Sequence, residues 1–504
     1  MNRPMPSSGS ARRRSTETSA ADLGLRTADL LAQGYRLALV AAHEDPDAFR
    51  LVYLFTAAGP DRREELVVRA DREAPTVPTL AGVSFSAGRF EREMRDMYGI
   101  VPTNHPLARR LVRHQHWPVG WYPMRSDAGP PPAFGSTEDP YPFLTVQGPG
   151  VYEIPVGPIH AGVIEPGHFR ISVVGETILK LKVRLWFTHK GIEKLMEGRT
   201  PSEALPLAER VSGDTAVGHS LAYSLAVEEA LDWPVPSSAG VLRAVLLEME
   251  RLYNHVADIG ALCNDVGYGI LNSHASRIRE QLLRLNADVT GHRLLRGAIA
   301  PGGAAVRTLP TVGQIRAIAD EVAEIVELAL NNSVVRDRFT GTSVLTAQRV
   351  RDVGALGYVA RASGVDHDAR RDHPFHEATA GVRAVIENGG DVLARFLVRA
   401  GEVQASAELL AELLAGASDG GAWQDMPTRV PSGQLSGVGL VEGWRGTIAQ
   451  RIEIRPDGTI ARLKIVDPSV LTWPALPMAL AGTIVPDFPL TNKSFNLSYA
   501  GNDL

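Results

Sequence analysis

The residues best able to do chemistry fall in three short runs. The first is Gly157-Pro158-Ile159-His160-Ala161-Gly162-Val163-Ile164-Glu165-Pro166-Gly167-His168-Phe169-Arg170, with two imidazoles, a carboxylate and a guanidinium in one glycine-rich stretch. Imidazoles, and carboxyls with a perturbed pKa, exchange protons near neutrality, so such a loop could handle protons. Spacing alone sets that reading level with a loop whose polar groups satisfy their own backbone. The other runs each carry two hydroxyls three residues apart: Ser212 and Thr215 within Glu209 to Tyr223, and Ser469 and Thr472 within Asp467 to Trp473. A helical turn would aim each pair at one point. Capping and turn chemistry is the simpler account of both pairs.

Several chemistries are excluded. The 504 residues contain one cysteine, Cys263, so the chain forms no internal disulfide and no thiolate cluster. Its setting, Ile259-Gly260-Ala261-Leu262-Cys263, reads as a small buried apolar position. Neither a G-x-G-x-x-G nor a P-loop pattern follows a strand, and no H-E-x-x-H or C-x-x-C occurs. A net charge of −5 without a Lys/Arg tract gives no nucleic-acid surface. No run approaches the ~18 apolar residues that a membrane-spanning helix needs. Arg12, Arg13 and Arg14 precede no signal-type apolar stretch, and residues 1–24 read as a flexible tail.

The elements that must position these runs form an α+β protein of two parts. Residues 25–124 read as a small α+β domain, with a helix over Thr27 to Gln33, strands over Tyr35 to Ala42 and Arg50 to Ala58, and a helix over Ser86 to Tyr98. Residues 125–148 contain Gly129-Pro130-Pro131-Pro132 and Asp139-Pro140-Tyr141-Pro142 and read as a Pro-rich linker. Residues 149–504 read as a mainly helical bundle flanked by small β-sheets. Strands are expected at Val151 to Val156, Phe169 to Val174, Leu179 to Trp186, and within Leu440 to Val466. Leu242, Val245, Leu246, Met249, Leu252, Tyr253, Val256 and Ile259 make one helical apolar stripe, and Thr311 to Asn331 and Gly381 to Ala415 behave likewise.

The second part resembles the large subunit of group 4 nickel–iron hydrogenases and its homologue, the quinone-module large subunit of respiratory complex I. The resemblance rests on Gly157 to Arg170, His189-Lys190-Gly191-Ile192-Glu193-Lys194, Glu209 to Glu228, Glu250-Arg251-Leu252-Tyr253-Asn254-His255, Arg361-Ala362-Ser363-Gly364-Val365-Asp366 and Phe488 to Tyr499. The first part resembles the small α+β subunit that packs next to it in complex I, through Glu91 to Ile100, His105-Pro106 and Arg109-Arg110-Leu111. A fusion in this order is typical of formate hydrogenlyase and related complexes.

The resemblance carries specific expectations. In active hydrogenases two C-x-x-C pairs hold nickel and iron; here they fall on Ser212/Thr215 and Ser469/Thr472. Hydroxyls stay protonated at neutral pH and are poor ligands for a soft site, so no metal is expected in the former metal cavity. The sequence stops at Leu504 inside the closing motif, without the cleaved extension of many such hydrogenases. Glu165 corresponds to the carboxylate that passes protons near the metals. Tyr223 aligns with the tyrosine that hydrogen-bonds a quinone headgroup, and His160 and His168 compete for the role of its histidine partner. The implied function is that of a redox subunit of a membrane-associated complex, on the cytoplasmic side of the membrane. It would take electrons from an iron–sulfur small subunit holding a 4Fe-4S cluster and pass them to a quinone or similar acceptor. Integral-membrane, ion-translocating subunits are the further partners; NAD would enter only through the wider complex, and the chain itself holds no cofactor. The competing reading is a non-catalytic scaffold whose degenerate metal site has packed shut.

Overall fold

The computed structural model describes residues 13–59, 61–135, 141–161, 164–427 and 435–504. The first domain is built on a four-stranded sheet of β1 (Arg13–Glu17), β2 (Arg36–Glu44), β3 (Ala48–Ala57) and β4 (Arg62–Asp71), in the order β1-β4-β3-β2. Every residue of β3 is buried, as a central strand covered on both faces requires. Helix α1 (Leu23–Ala32) precedes β2, and α2 (Phe85–Tyr98) starts where Ser84 accepts a hydrogen bond from Ala87 N and stops at Gly99, at φ 78°.

Two expectations change here. Within the tail expected over residues 1–24, the described residues begin at Arg13 and include a strand, β1, that runs parallel to β4. Arg13 is no solvated cation: it donates to Glu65 Oε1 at 2.9 Å and to the Ser436 carbonyl at 2.7 Å. Strand β4 escapes a period-two reading because Arg62-Arg63-Glu64-Glu65 opens it, and Arg63 and Glu65 find partners across the domain boundary. Of the linker, residues 136–140 lie outside the described residues, and the rest carries neither helix nor strand.

The second domain opens with an antiparallel meander of β5 (Val151–Val156), β6 (His168–Val174) and β7 (Thr177–Arg184). Five long helices follow: α3 (Ala216–Leu231), α4 (Ser237–Asp265), α5 (Gly269–Thr290), α6 (Val312–Asn331) and α7 (Val392–Leu414). The apolar stripe of α4 is buried in one core cluster with residues of α5, α6 and α7. Cys263 lies in that cluster with no exposure, and burial pushes its thiol up to about 12. The helix expected from Gly381 begins only at Val392. Gly390 sits at φ 63°, where a Cβ would meet the Leu345 carbonyl, and Asp391 then caps the helix by accepting from Ala394 N. A final antiparallel sheet, β8 (Leu435–Gly443), β9 (Gly446–Ile454) and β10 (Ile460–Val466), lies against α3 and turns at Asp457-Gly458, where Asp457 accepts from Thr459 N.

This last sheet also meets the first domain, through buried charge. Arg50 donates to both carboxylate oxygens of Glu453 at 2.9 Å, and Arg451 donates to Glu65 at 2.9 Å. His373 lies 2.7 Å from Asp61, and Lys464 donates to Glu93.

Candidate functional site

The fold brings the two hydroxyl pairs together at the start of α3. Ser212, Thr215, Ser469 and Thr472 are all buried. Ser212 Oγ lies 2.8 Å from Ser498 Oγ, and Ser498 N donates to Ser469 Oγ at 3.0 Å, so one residue of the closing motif links both pairs. Thr472 points elsewhere, donating to the Pro468 carbonyl and accepting from Leu356 N.

Beside the first pair stands a guanidinium. Arg445, in the turn joining β8 and β9, donates to both oxygens of Asp214 at 2.7 Å and lies 3.4 Å from Thr215 Oγ1. Its Nε donates to the Asn496 carbonyl at 2.6 Å, and its plane covers the Trp444 ring at 3.9 Å. Ser212 and Thr215 both donate to Asp214 Oδ1. Burial alone would raise the Asp214 carboxyl, but Arg445 and these hydroxyls outweigh it and hold it down at about 2. Hard hydroxyl donors around a cation do not fit a soft, doubly charged metal centre. Among the described residues no cluster of three His, Cys, Asp or Glu could hold a metal. Sequence reasoning passed over Asp214 and Arg445; Asp214 lay inside a run already singled out, whereas nothing in its spacing marked Arg445.

Behind this pair, Glu250 of α4 accepts from Val217 N at 2.7 Å and Gly218 N at 2.9 Å, satisfying two donors that the first turn of α3 leaves open. Burial drives its carboxyl from 4.5 up to about 8. A raised folded-state pKa means the native state holds a proton that the unfolded chain has released. Stability from this group is complete below about pH 4.5 and is lost as pH climbs through about 8. Glu250→Gln, which keeps one of the two acceptor oxygens and cannot ionise, is expected to lower the melting temperature at acid pH and to flatten its fall across that window. An unchanged profile would show that Glu250 is ionised in the folded protein.

The histidine-rich loop mostly serves itself. His160 Nε2 lies 2.8 Å from the Gly167 carbonyl and His168 Nδ1 lies 3.0 Å from the Gly157 carbonyl, so both rings bridge the loop's own backbone. Gly162 and Val163 lie outside the described residues. Glu165 reaches out of the loop and accepts from Ala500 N at 2.8 Å, two residues beyond the Ser498 that joins the hydroxyl pairs. Tyr223, expected to hydrogen-bond an acceptor headgroup, lies in the body of α3. It is wholly buried, its hydroxyl donates to the Pro201 carbonyl at 2.9 Å, and its ring belongs to an apolar cluster with Ile192, Met196 and Ala204.

A cavity of about 280 Å³ opens instead between the domains. Its walls combine Arg89, Glu93, Glu193, Lys190, Lys464 and Asp503 with Trp117, Trp186 and apolar side chains such as Phe90, Val466 and Leu504. Lys190 links it to the hydroxyl set: its Nζ donates to the carbonyl of Val211, the neighbour of Ser212, at 2.7 Å. Asp503 braces the wall by accepting from Trp186 N, Thr188 N and Thr188 Oγ1 at 2.8–3.0 Å.

Known families match this arrangement in the same order. Residues 22–132 match the family described as respiratory-chain NADH dehydrogenase, 30 Kd subunit. Residues 190–263 match nickel-dependent hydrogenase, and residues 265–432 match respiratory-chain NADH dehydrogenase, 49 Kd subunit. Formate hydrogenlyase subunit 5 of Escherichia coli (strain K12) is 32% identical over 450 residues, covering 86% of this chain and 78% of that protein. The C/D subunit of NADH-quinone oxidoreductase from Phocaeicola vulgatus is 30% identical over 431 residues, covering 80% and 82%. In the solved structure of the membrane-bound sulfane sulfur reductase, an archaeal respiratory membrane complex, one chain superposes with a TM-score of 0.64 at 25% identity, covering 70% of this chain and 99% of its own. The chain belongs to the family of complex I and hydrogenase large subunits, as a fusion of a 30 kDa-type and a 49 kDa-type domain related to formate hydrogenlyase subunit 5.

Proposed function

We propose that this chain is the electron-delivering large subunit of a membrane-associated oxidoreductase complex and works without a nickel–iron centre. Electrons would reach it from an iron–sulfur partner that holds a 4Fe-4S cluster and leave to a quinone or similar organic acceptor. The observation that carries this reading is the Asp214–Arg445 pair, hydrogen-bonded to hydroxyls at positions where the family resemblance implies metal-binding thiolates. Relatives named as part of an NADH-quinone oxidoreductase and of a sulfane sulfur reductase support an acceptor other than the proton.

The chain's own residues would bind the acceptor and move protons. Glu165, anchored on Ala500 N, is the proposed proton relay, with His160 and His168 beside it in the loop. No described helix is long and apolar enough to cross a membrane, so attachment would run through integral-membrane, ion-translocating partners at the cytoplasmic face. NAD would enter only through the wider complex. The scaffold reading draws on a different observation, the hydrogen-bonded closure of the hydroxyl set around Ser498.

Purification of the intact complex decides between them. We expect no stoichiometric nickel, no hydrogen uptake, and reduction of an added quinone. Glu165→Gln should slow that reduction by about a hundredfold, the scale of a lost general acid. Tyr223→Phe should leave turnover unchanged, because its hydroxyl is occupied by Pro201. A complex whose iron–sulfur cluster is reduced but which reduces no quinone would favour the scaffold, and stoichiometric nickel would overturn both readings.

A further inference from the structure

A smaller cavity, of about 170 Å³, lies between α2, the loop carrying Arg109-Arg110-Leu111 and the end of β7. Arg92, Arg109 and Arg184 line it, and the guanidinium carbons of Arg109 and Arg184 lie 5.7 and 4.7 Å from the centre of the Tyr141 ring. Their hydrogen bonds go to backbone carbonyls. Arg92 donates to those of Arg109 and Arg110 at 2.9 Å, Arg109 to that of Pro142 at 2.9 Å, and Arg184 to those of Leu111 and Arg113. A carbonyl satisfies a donor but cancels no charge. Among the described residues none of the three arginines forms an ion pair, and Nε of Arg109 and of Arg184 is buried without a partner. Asp96 and Asp503 act on these cations from farther off, and backbone amides hold both carboxylates. Asp96 accepts from Leu111 N and Val112 N at 2.8 Å, and Asp503 accepts from Trp186 N at 2.8 Å. Arg89 adds a fourth guanidinium to the wall, partly offset by Glu93. Burial lowers the Arg92 guanidinium to about 10, with Tyr141 and Asp96 opposing the shift and Arg109 and Arg184 adding to it.

We propose that this cavity binds the phosphate group of a small organic phosphate ester, its oxygens accepting from Arg92, Arg109 and Arg184. The site stands apart from the hydroxyl set and from the path of electrons. Guanidinium forks match phosphate oxygens in geometry, and a phosphate monoester carries close to two negative charges. Such a ligand relieves the repulsion among the cations, which no neutral molecule does. Trp473, Pro474 and Pro477 supply an apolar stretch of wall for the organic part. A cavity of roughly 150 Å³ accommodates benzene, so about 170 Å³ admits one phosphate on a small body and not a stretch of acidic chain.

The test titrates phenyl phosphate into the purified full chain and into the intact complex, in chloride buffer, by calorimetry. We expect one phenyl phosphate per chain in both preparations, with inorganic phosphate competing and phenol not binding. Arg109→Gln and Arg92→Lys should each weaken binding by about tenfold or more, the scale of a lost hydrogen bond to a charged group. Arg109→Gln also removes one of several like charges, so its melting temperature without phosphate should hold or rise, which separates loss of the site from loss of the fold. A lowered melting temperature would make Arg109 a tie to Pro142 instead and overturn its role. Unweakened binding in both variants, or no binding to the unaltered chain, overturns the site. Binding to the full chain but not to the complex would give the cluster to an acidic segment of a partner and overturn the small ligand. Phosphatidate vesicles that sediment the full chain and are not displaced by phenyl phosphate would overturn it in favour of a lipid headgroup.

Discussion

Replacing Arg361 by methionine is expected to lower the unfolding free energy by about 3–5 kcal/mol, the loss typical of removing one partner from a buried ion pair. Arg361 has no solvent exposure. Its Nε donates to Glu402 at 2.8 Å, and its Nη1 donates to Glu442 at 2.7 Å and to the His367 carbonyl at 2.8 Å. Glu402 in turn lies 2.6 Å from His255 Nε2, and Glu442 accepts from Thr447 Oγ1 and Ala369 N. Burial alone would raise the Glu402 carboxyl, but Arg361 and His255 overcome it and hold it well below the usual range. Methionine fills similar volume and leaves Glu442 without its guanidinium in a dry interior, and Glu402 with only His255 and Arg251. Urea unfolding followed by circular dichroism reads the loss, and adding Glu402→Gln should recover part of it. A loss below about 1 kcal/mol would mean that water enters this network and screens it.

Gly439→Ala is the second large effect, at about 3 kcal/mol, because the added methyl meets backbone that cannot swing aside. A Cβ at Gly439 would sit 1.8 Å from the Ala222 carbonyl oxygen, and one at Gly437 would sit 2.0 Å from that of Ala226. The pairing is geometric. Two residues of strand advance about 6.7 Å and four residues of helix about 6 Å, so alternate glycines of β8 track successive turns of α3. Separating them would tilt the helix whose N-cap is Thr215 and whose first turn rests on Glu250. Thermal unfolding checks the stability, and the pH profile described for Glu250 checks the tilt. A variant that keeps its full melting temperature would place the strand farther from the helix than it stands here.

The sequence made legible what depends on local periodicity. Helix α2, strands β2 and β3, the meander β5–β7 and the stripe of α4 follow from spacing and turn residues and lie within a few positions of their expected places. The buried character of Cys263 was legible for the same reason, since Ile259, Ala261 and Leu262 precede it in the helix. What stayed hidden depends on long-range pairing. Arg445 is 231 positions from Asp214, and no local pattern joins a β-turn arginine to the start of a helix. Tyr223 depends on long-range packing in another way. Its motif was readable, but the direction of its hydroxyl is set by how the short helix Pro201–Ala208 packs over α3. The loop from Gly157 to Arg170 stood evenly between two readings, and the hydrogen bonds of His160 and His168 favour the self-satisfying one for those two rings while Glu165 reaches beyond it.

The charged seam between the two domains has a consequence for inheritance. Arg50 with Glu453, Glu65 with Arg451, and Glu93 with Lys464 each place one member on either side of the boundary, largely out of reach of water. A single charge change on one side therefore strands its mate on the other, whereas an exchange of both signs restores the match. This set of opposite charges joins the two halves in addition to the chain between them, and at these positions they are free to diverge only in step.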